Sequence, residues 1–413
     1  MRKKAYFKSV TIFLSILLVF SQLQLFSLPA YGETVSDQPL LFRSVGVAQS
    51  GTTYYVDGEG GNNANDGQSP ASAWRDFEKV NQTEFQPGDH LLLNAQSTWN
   101  NQLLHPKGNG TAAQKIVIDF YDTNDKGETI FETTRRPIIN GGGTYSTGTF
   151  KRAISGAVQL VNQEYWDISN LEVTNTPELD NLEGYKKPGD AQRAGILVLG
   201  YEQNRTFNSV TIRNNYVHDV QTEYYLNLSG NTATKRLKAV GGIIVLGSWF
   251  DENGNVVTAA NDHRTTTGFN DILIENNVIQ RVGLEGIRTK ADSDTSRGNT
   301  FYKTFSNITI RNNYLEDIAG DGIVLSEAKS GGVVEGNVAV RMCNADYGTQ
   351  NYAGVWAMSV DDGLFQYNEV YGIKYGFNDA EAYDVDMQSN NVIYQYNYSH
   401  HNTGGFLLLM SDQ

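Results

Sequence analysis

Cysteine is almost absent: Cys343 is the only one in 413 residues. That excludes a disulfide framework and any Cys-rich metal site. Proline is scarce as well, at 8 residues against 41 glycines. Basic residues are outnumbered, 32 Lys+Arg to 46 Asp+Glu, for a formal net charge of -14. So acidic a surface repels phosphate backbones, which argues against a nucleic-acid partner. Four of the cations, Arg2, Lys3, Lys4 and Lys8, fall in the first stretch of chain, so the remainder is more acidic still. No apolar run after that stretch is long enough to span a bilayer.

The basic start is followed by an apolar run from Thr11 to Phe20, interrupted by Ser15 and ended by Gln22 and Gln24. It falls short of the ~20 apolar residues that a membrane span needs. Ala30-Tyr31-Gly32 supplies small residues for cleavage. Residues 1–32 therefore read as a secretory signal peptide. A secreted, extracellular protein is expected, without membrane association once the leader is removed.

What is abundant is Gly, Asn and Tyr, the residues of turns and strands. Two patterns alternate along the chain. One is apolar-x-apolar, a polar residue, then Asn: Val210-Thr-Ile212-Arg-Asn214-Asn215, Ile272-Leu-Ile274-Glu-Asn276-Asn277 and Ile308-Thr-Ile310-Arg-Asn312-Asn313, with looser copies ending at Asn337, Asn368 and Asn397. The other is a small residue followed by a short apolar run, beginning at Gly195, Gly242, Gly286, Gly322, Gly354, Ala382 and Gly405. The copies are too closely spaced for βαβ units, and antiparallel hairpins would not keep Asn in phase. A parallel β-helix would: each coil stacks on the last at ~4.8 Å, and a buried Asn amide bonds its copy in the next coil. The asparagines are accordingly read as structural. The segments Tyr224–Lys238 and Asp251–Gly268 are inserted loops, of the kind that builds a binding groove.

The N-terminal part differs. Tyr54-Tyr55-Val56-Asp57 opens a strand, and Ser72 to Val80 suits a short amphipathic helix carrying Trp74, Phe77 and Val80. Such a helix is a candidate cap over the open edge of the first coil. Leu91-Leu92-Leu93 reads as the start of the first coil. The expected organisation is residues 33–90 as linker and cap and 91–413 as β-helix, the chain ending just after an apolar strand with no visible C-terminal cap.

The run from Tyr54 through Asp66-Gly67, Trp74 and Pro87-Gly88-Asp89, with Tyr165-Trp166-Asp167-Ile168, Gln366-Tyr367-Asn368-Glu369 and Gln395-Tyr396-Asn397-Tyr398-Ser399-His400, resembles the secreted bacterial right-handed parallel β-helix proteins of the pectate-lyase-like superfamily. The resemblance implies an all-β right-handed solenoid with an N-terminal cap. It does not fix the reaction, since that superfamily holds lyases, glycosidases, epimerases and tail-spike proteins.

Alternation in the second pattern points Ile196, Ile243, Ile287, Ile323, Val355 and Tyr383 inward and the residues between them outward. The outer column then reads Leu197/Leu199, Ile244/Leu246, Arg288/Lys290, Val324/Ser326, Trp356/Met358 and Asp384/Asp386. Its apolar early pairs call for a covering segment. Its later rows place a cationic pair, an aromatic and two carboxylates on one face. Asp384 and Asp386 lie ~7 Å apart on the same side of one strand, with Asp379 just upstream. Paired carboxylates are the equipment of glycoside hydrolysis, one donating a proton and the other attacking or activating water. Trp356, one coil away, is positioned as a sugar platform. The alternatives for the aspartates are a Ca2+ site or a solvated acidic patch. The spacing from Asp379 to Asp386 is similar to that of the paired aspartates of β-helix glycosidases such as the lacto-N-biosidases. Asp379, Asp384 and Asp386 are expected to act in some pairing, with Asp386 assigned as nucleophile or base and Asp379 as acid.

The rival site is Arg288 with Lys290, the residue types with which β-helix polysaccharide lyases abstract a proton from uronates, often with Ca2+. Arg288 would have to lower the proton affinity of Lys290, and Asp292 and Asp294 oppose that. A non-catalytic glycan-binding surface protein is the third reading. His400, beside a ladder Asn, is a candidate to reach the groove. The loop from Asp57 to Gly67 has oxygens enough for Ca2+, though turn chemistry accounts for it equally well. No cofactor is required by the leading reading; Ca2+ is admissible. A monomer acting on a poly- or oligosaccharide is expected.

Overall fold

The computed structural model describes residues 41–142, 154–176, 192–221, 240–253, 255–257, 264–291, 301–344, 352–374 and 379–410. Residues 1–40 (which include the expected signal peptide), Asp292, Asp294 and the loop Tyr224–Lys238 lie outside the described residues, as does part of Asp251–Gly268. Within them the chain is a right-handed parallel β-helix. Three long sheets run along it, of nine, eight and twelve strands, and successive coils pair in parallel within each. One coil shows the plan: Gly268–Glu275 lies in the twelve-stranded sheet, Val278–Val282 in the nine-stranded sheet and Glu285–Ala291 in the eight-stranded sheet.

The Asn-Asn doublets make the corner between the first two sheets. Asn214, Asn276 and Asn312 adopt the left-handed conformation, with φ of 55°, 54° and 54°, which Asn tolerates better than other side-chain-bearing residues. The second Asn of each doublet then turns inside. Asn215, Asn277, Asn313, Asn337 and Asn368 are buried, and each donates its amide to the Oδ1 of the next, at 3.1, 3.0, 2.9, 2.9 and 3.0 Å, the last reaching Asn397. The backbone N–H of each donates to the same oxygen at 2.9–3.0 Å. The corner leading into the eight-stranded sheet is tight. A Cβ on Gly286 would sit 2.5 Å from Leu315 Cδ2 and 2.4 Å from the Gly322 carbonyl oxygen, so only glycine fits.

A second ladder lies outside. Arg281 forms ion pairs with Asp219 through Nε at 2.7 Å and Nη2 at 2.8 Å. Arg341 does the same with Asp317, at the same two distances.

The first strand of the twelve-stranded sheet is Thr53–Val56, paired in parallel with His90–Asn94, so the solenoid is under way one strand before Leu91. The helix expected over Ser72–Val80 divides into a 3-10 turn, Pro70–Ser72, and an α-helix, Phe77–Gln82. The break arises because Trp74 is extended and bridges Val56, while Asp76 caps the helix by accepting the Glu78 N–H. Trp74, Phe77 and Val80 are buried in the main core, where Phe77 packs on Trp99 with ring centroids 5.0 Å apart. In the neighbouring loop, Asp57 Oδ1 accepts the N–H groups of Glu59 and Gly60, both at 3.0 Å. Asp66 Oδ1 accepts that of Gln68, also at 3.0 Å.

Candidate active site

The outer face of the eight-stranded sheet carries the candidate chemistry. Its register aligns Ile244 with Arg288, Arg288 with Val324, Val324 with Trp356 and Trp356 with Asp384. Ile323, Leu325, Val355 and Ala357 join the main core, whereas Val324, Trp356 and Met358 form a cluster of their own with Ala353. That division is the in/out alternation expected from the sequence.

Asp384 is only 5 % exposed, and its Oδ1 has no hydrogen-bond partner among the described residues. Burial disfavours its anion, and the charges of Asp386, Asp379, Glu381 and Asp321 add to this, so its pKa is pushed up to about 8. Asp386 and Asp379 are half-buried. Asp386 Oδ1 accepts the Met387 N–H at 2.7 Å, which fixes its rotamer. The strand therefore presents one buried carboxyl that keeps its proton at neutral pH and a more open carboxylate two residues on.

Trp356 is also 5 % exposed. Expected as an open sugar platform, its ring is covered in this arrangement: Val324, Ala353 and Met358 pack around it, and the Arg288 guanidinium lies 5.4 Å from its centroid. It is the cross-strand neighbour of Asp384 on the same face.

Arg288 is 1 % exposed. Its Nη1 donates to both oxygens of Glu285 at 3.2 Å and reaches Asp321 Oδ2 at 3.4 Å. Asp321 is itself held by the Ala353 N–H, which donates to Oδ1 at 2.8 Å. Two buried carboxylates thus neutralise the Arg288 charge, so Arg288 gives Lys290 no reason to lose its proton. Lys290, half-buried, acts electrostatically on the fully buried Glu327, whose carboxyl is raised by burial and drawn back by the ammonium. A neighbouring carboxyl gives no push toward a neutral amine, which weakens the case for Lys290 as a base.

His400 is not brought to the aspartates. Tyr398–His400 belongs to the nine-stranded sheet, while Tyr383–Val385 belongs to the eight-stranded one. The His400 ring stacks on Tyr371, and Nε2 lies 3.1 Å from Glu369 Oε1. Among the described residues no group of three or more His, Cys, Asp or Glu side chains is arranged to hold a metal ion.

Sequence reasoning missed Glu285, Asp321, Glu327 and Glu381. A signal existed for three of them. The residue before the recurrent small residue runs Ala194, Gly241, Glu285, Asp321, Ala353, Glu381, turning acidic in both coils whose outer column is charged and in the coil that follows Arg288.

The described residues thus form a parallel β-helix with neighbouring carboxyl groups on one sheet face. No family model matches the chain. It is similar to a lacto-N-biosidase of Bifidobacterium longum subsp. longum, with 28% identity over 415 aligned residues covering 88% of this chain and 25% of the relative. It is also similar in structure to the GH136 lacto-N-biosidase from Eubacterium ramulus. The selenomethionine derivative gives a TM-score of 0.67 at 26% identity, and the native protein 0.65 at 25%, each covering 86% of this chain and 57% of that one. The chain therefore spans about a quarter of the length of the curated relative and little more than half of the solved one.

Proposed function

We propose that the chain is an exported glycoside hydrolase acting on oligosaccharides, with the lacto-N-biosidase type of reaction as the specific reading. The observation that carries it is the acid cluster of one strand and its approach: Asp384 buried and protonated at neutral pH, with Asp386 and Asp379 more open beside it. Three neighbouring carboxyls, one of them neutral and so limiting their mutual repulsion, supply the pair that hydrolysis of a glycosidic bond requires. Asp386 is assigned as nucleophile or base, Asp379 as acid, and Asp384 as the buried carboxyl whose proton keeps the three from mutual repulsion. Similarity to the lacto-N-biosidases supports the substrate class.

The test is hydrolysis of a chromogenic lacto-N-bioside, run beside neutral and uronate-containing glycans with reducing ends and unsaturated-uronate absorbance followed together. Release of the chromophore, lost by about 10²–10⁴-fold in Asp379→Asn and Asp386→Asn, is the expected result. Unsaturated uronates from any substrate, or full activity in both variants, would refute it.

A further inference from the structure

We propose that Glu285 and Asp321 are positioning residues which, by clamping Arg288 against Trp356, hold in place the indole that neighbours Asp384 across the strands; this rests on the reading of Asp384 as part of the hydrolytic cluster. The internal repeat supplies the control. In the neighbouring coils the Arg288 position is occupied by Ile244 and Val324, and the Glu285 position by Gly241. The Asp321 carbonyl accepts from Gly286 just as the Ala353 carbonyl accepts from Gly322, which puts Ala353 in the Asp321 position. The fold therefore runs through these positions with apolar residues. Burying a carboxylate–guanidinium–carboxylate triad instead forfeits stability relative to apolar side chains of similar volume.

What the triad gains is placement. Arg288 is gripped by Glu285 and Asp321, and Asp321 is pinned to the Ala353 backbone. Ala353 packs with Trp356 in the same small cluster, and Trp356 is the register neighbour of Asp384. The clamp thus reaches Trp356 by two routes, through the guanidinium over its ring and through Ala353, which packs in the same cluster. The charges that bear on Asp384 are Asp386 on its own strand, Asp379 and Glu381 on the approach to it, and Asp321 two coils away. Asp321 is both a clamp residue and one of the anions that disfavour a second negative charge. Without the clamp, Trp356 is free to move and water to reach Asp384.

The experiment compares Glu285→Gln and the triple variant Glu285→Gln/Arg288→Met/Asp321→Asn with the wild type. The Asp384 titration is read by the infrared carboxyl stretch, assigned by its absence in Asp384→Asn. The alkaline limb of turnover on the chromogenic lacto-N-bioside is measured in parallel. The proposal expects a folded triple variant whose Asp384 midpoint falls by about one pH unit or more, with the alkaline limb moving down alongside it and Glu285→Gln intermediate. An unchanged midpoint in a folded triple variant would overturn it. So would a triple variant unable to fold, since the triad would then be a requirement of the solenoid. If the wild type leaves the bioside intact, the hydrolase reading fails while the infrared midpoint still decides the role of the triad.

Discussion

Replacing Asp384 with Asn removes a titration that the buried site makes costly. The carboxyl goes from an ordinary value of 3.8 to about 8 in the folded protein. Between those limits the folded state holds a proton that the unfolded chain has released, so stability falls as pH rises. The contribution is complete below the unfolded value and lost progressively as pH approaches the folded one. Each pH unit inside the window is worth about 1.4 kcal/mol. Over about two units, from mildly acidic to neutral, the wild type is expected to lose on the order of 3 kcal/mol through this group alone. Asp119, buried and raised to about 6, adds a slope of its own at the lower end, but it is common to both proteins and cancels in the difference. The Asn side chain also leaves a donor where Asp384 Oδ1 had no partner, which shifts the whole variant curve without tilting it. The readout is therefore the slope: denaturant unfolding at several pH values, with the stability of variant minus wild type plotted against pH. It should climb steadily through this window and level off beyond about pH 8. Parallel profiles would mean that Asp384 is ionised at neutral pH, and the assignment of a proton-bearing cluster would fall.

Asn277→Ala should cost about 3 kcal/mol or more by denaturant unfolding, because it strands the Asn215 N–H and side-chain amide and the Ile212 carbonyl in the core; a loss below about 1 kcal/mol would show that the amide ladder contributes little. Lys290→Met should leave hydrolysis of a neutral glycan within about tenfold of wild type, since the proposed hydrolysis gives Lys290 no role as a base; loss of all turnover would restore the elimination chemistry as a candidate. A chelator should leave hydrolysis unchanged, as the three aspartates need a proton rather than a cation between them. Activity abolished by chelation and restored by Ca2+ would contradict this.

The scaffold is legible in the sequence because its determinants are local and repeated. An Asn doublet encodes both a left-handed corner and a buried amide, so Asn276-Asn277 announces a coil without reference to the rest of the chain. The outer column is legible for a similar reason: alternation fixes which way Arg288, Trp356 and Asp384 point. Alternation says nothing about what covers a residue, which is why Trp356 was expected to be open. Proximity in sequence also failed at His400. A corner at Tyr396, with φ of 54°, puts Ile393–Gln395 and Tyr398–His400 into different sheets. Glu285 and Asp321 escaped notice because they sit just ahead of the recurrent glycine, outside the apolar run from which the column was read.

The amide ladder ties each coil to the next at a single side chain, and the sequence distance between successive ties is 62, 36, 24, 31 and 29 residues. The tie is indifferent to how much chain intervenes. Segments before and after the strands of the eight-stranded sheet are thus free to lengthen, shorten or be exchanged without disturbing the stacking beneath them. Such a frame lets a lineage trade excursions while the carboxyl groups stay in register, and it invites the same experiment by grafting.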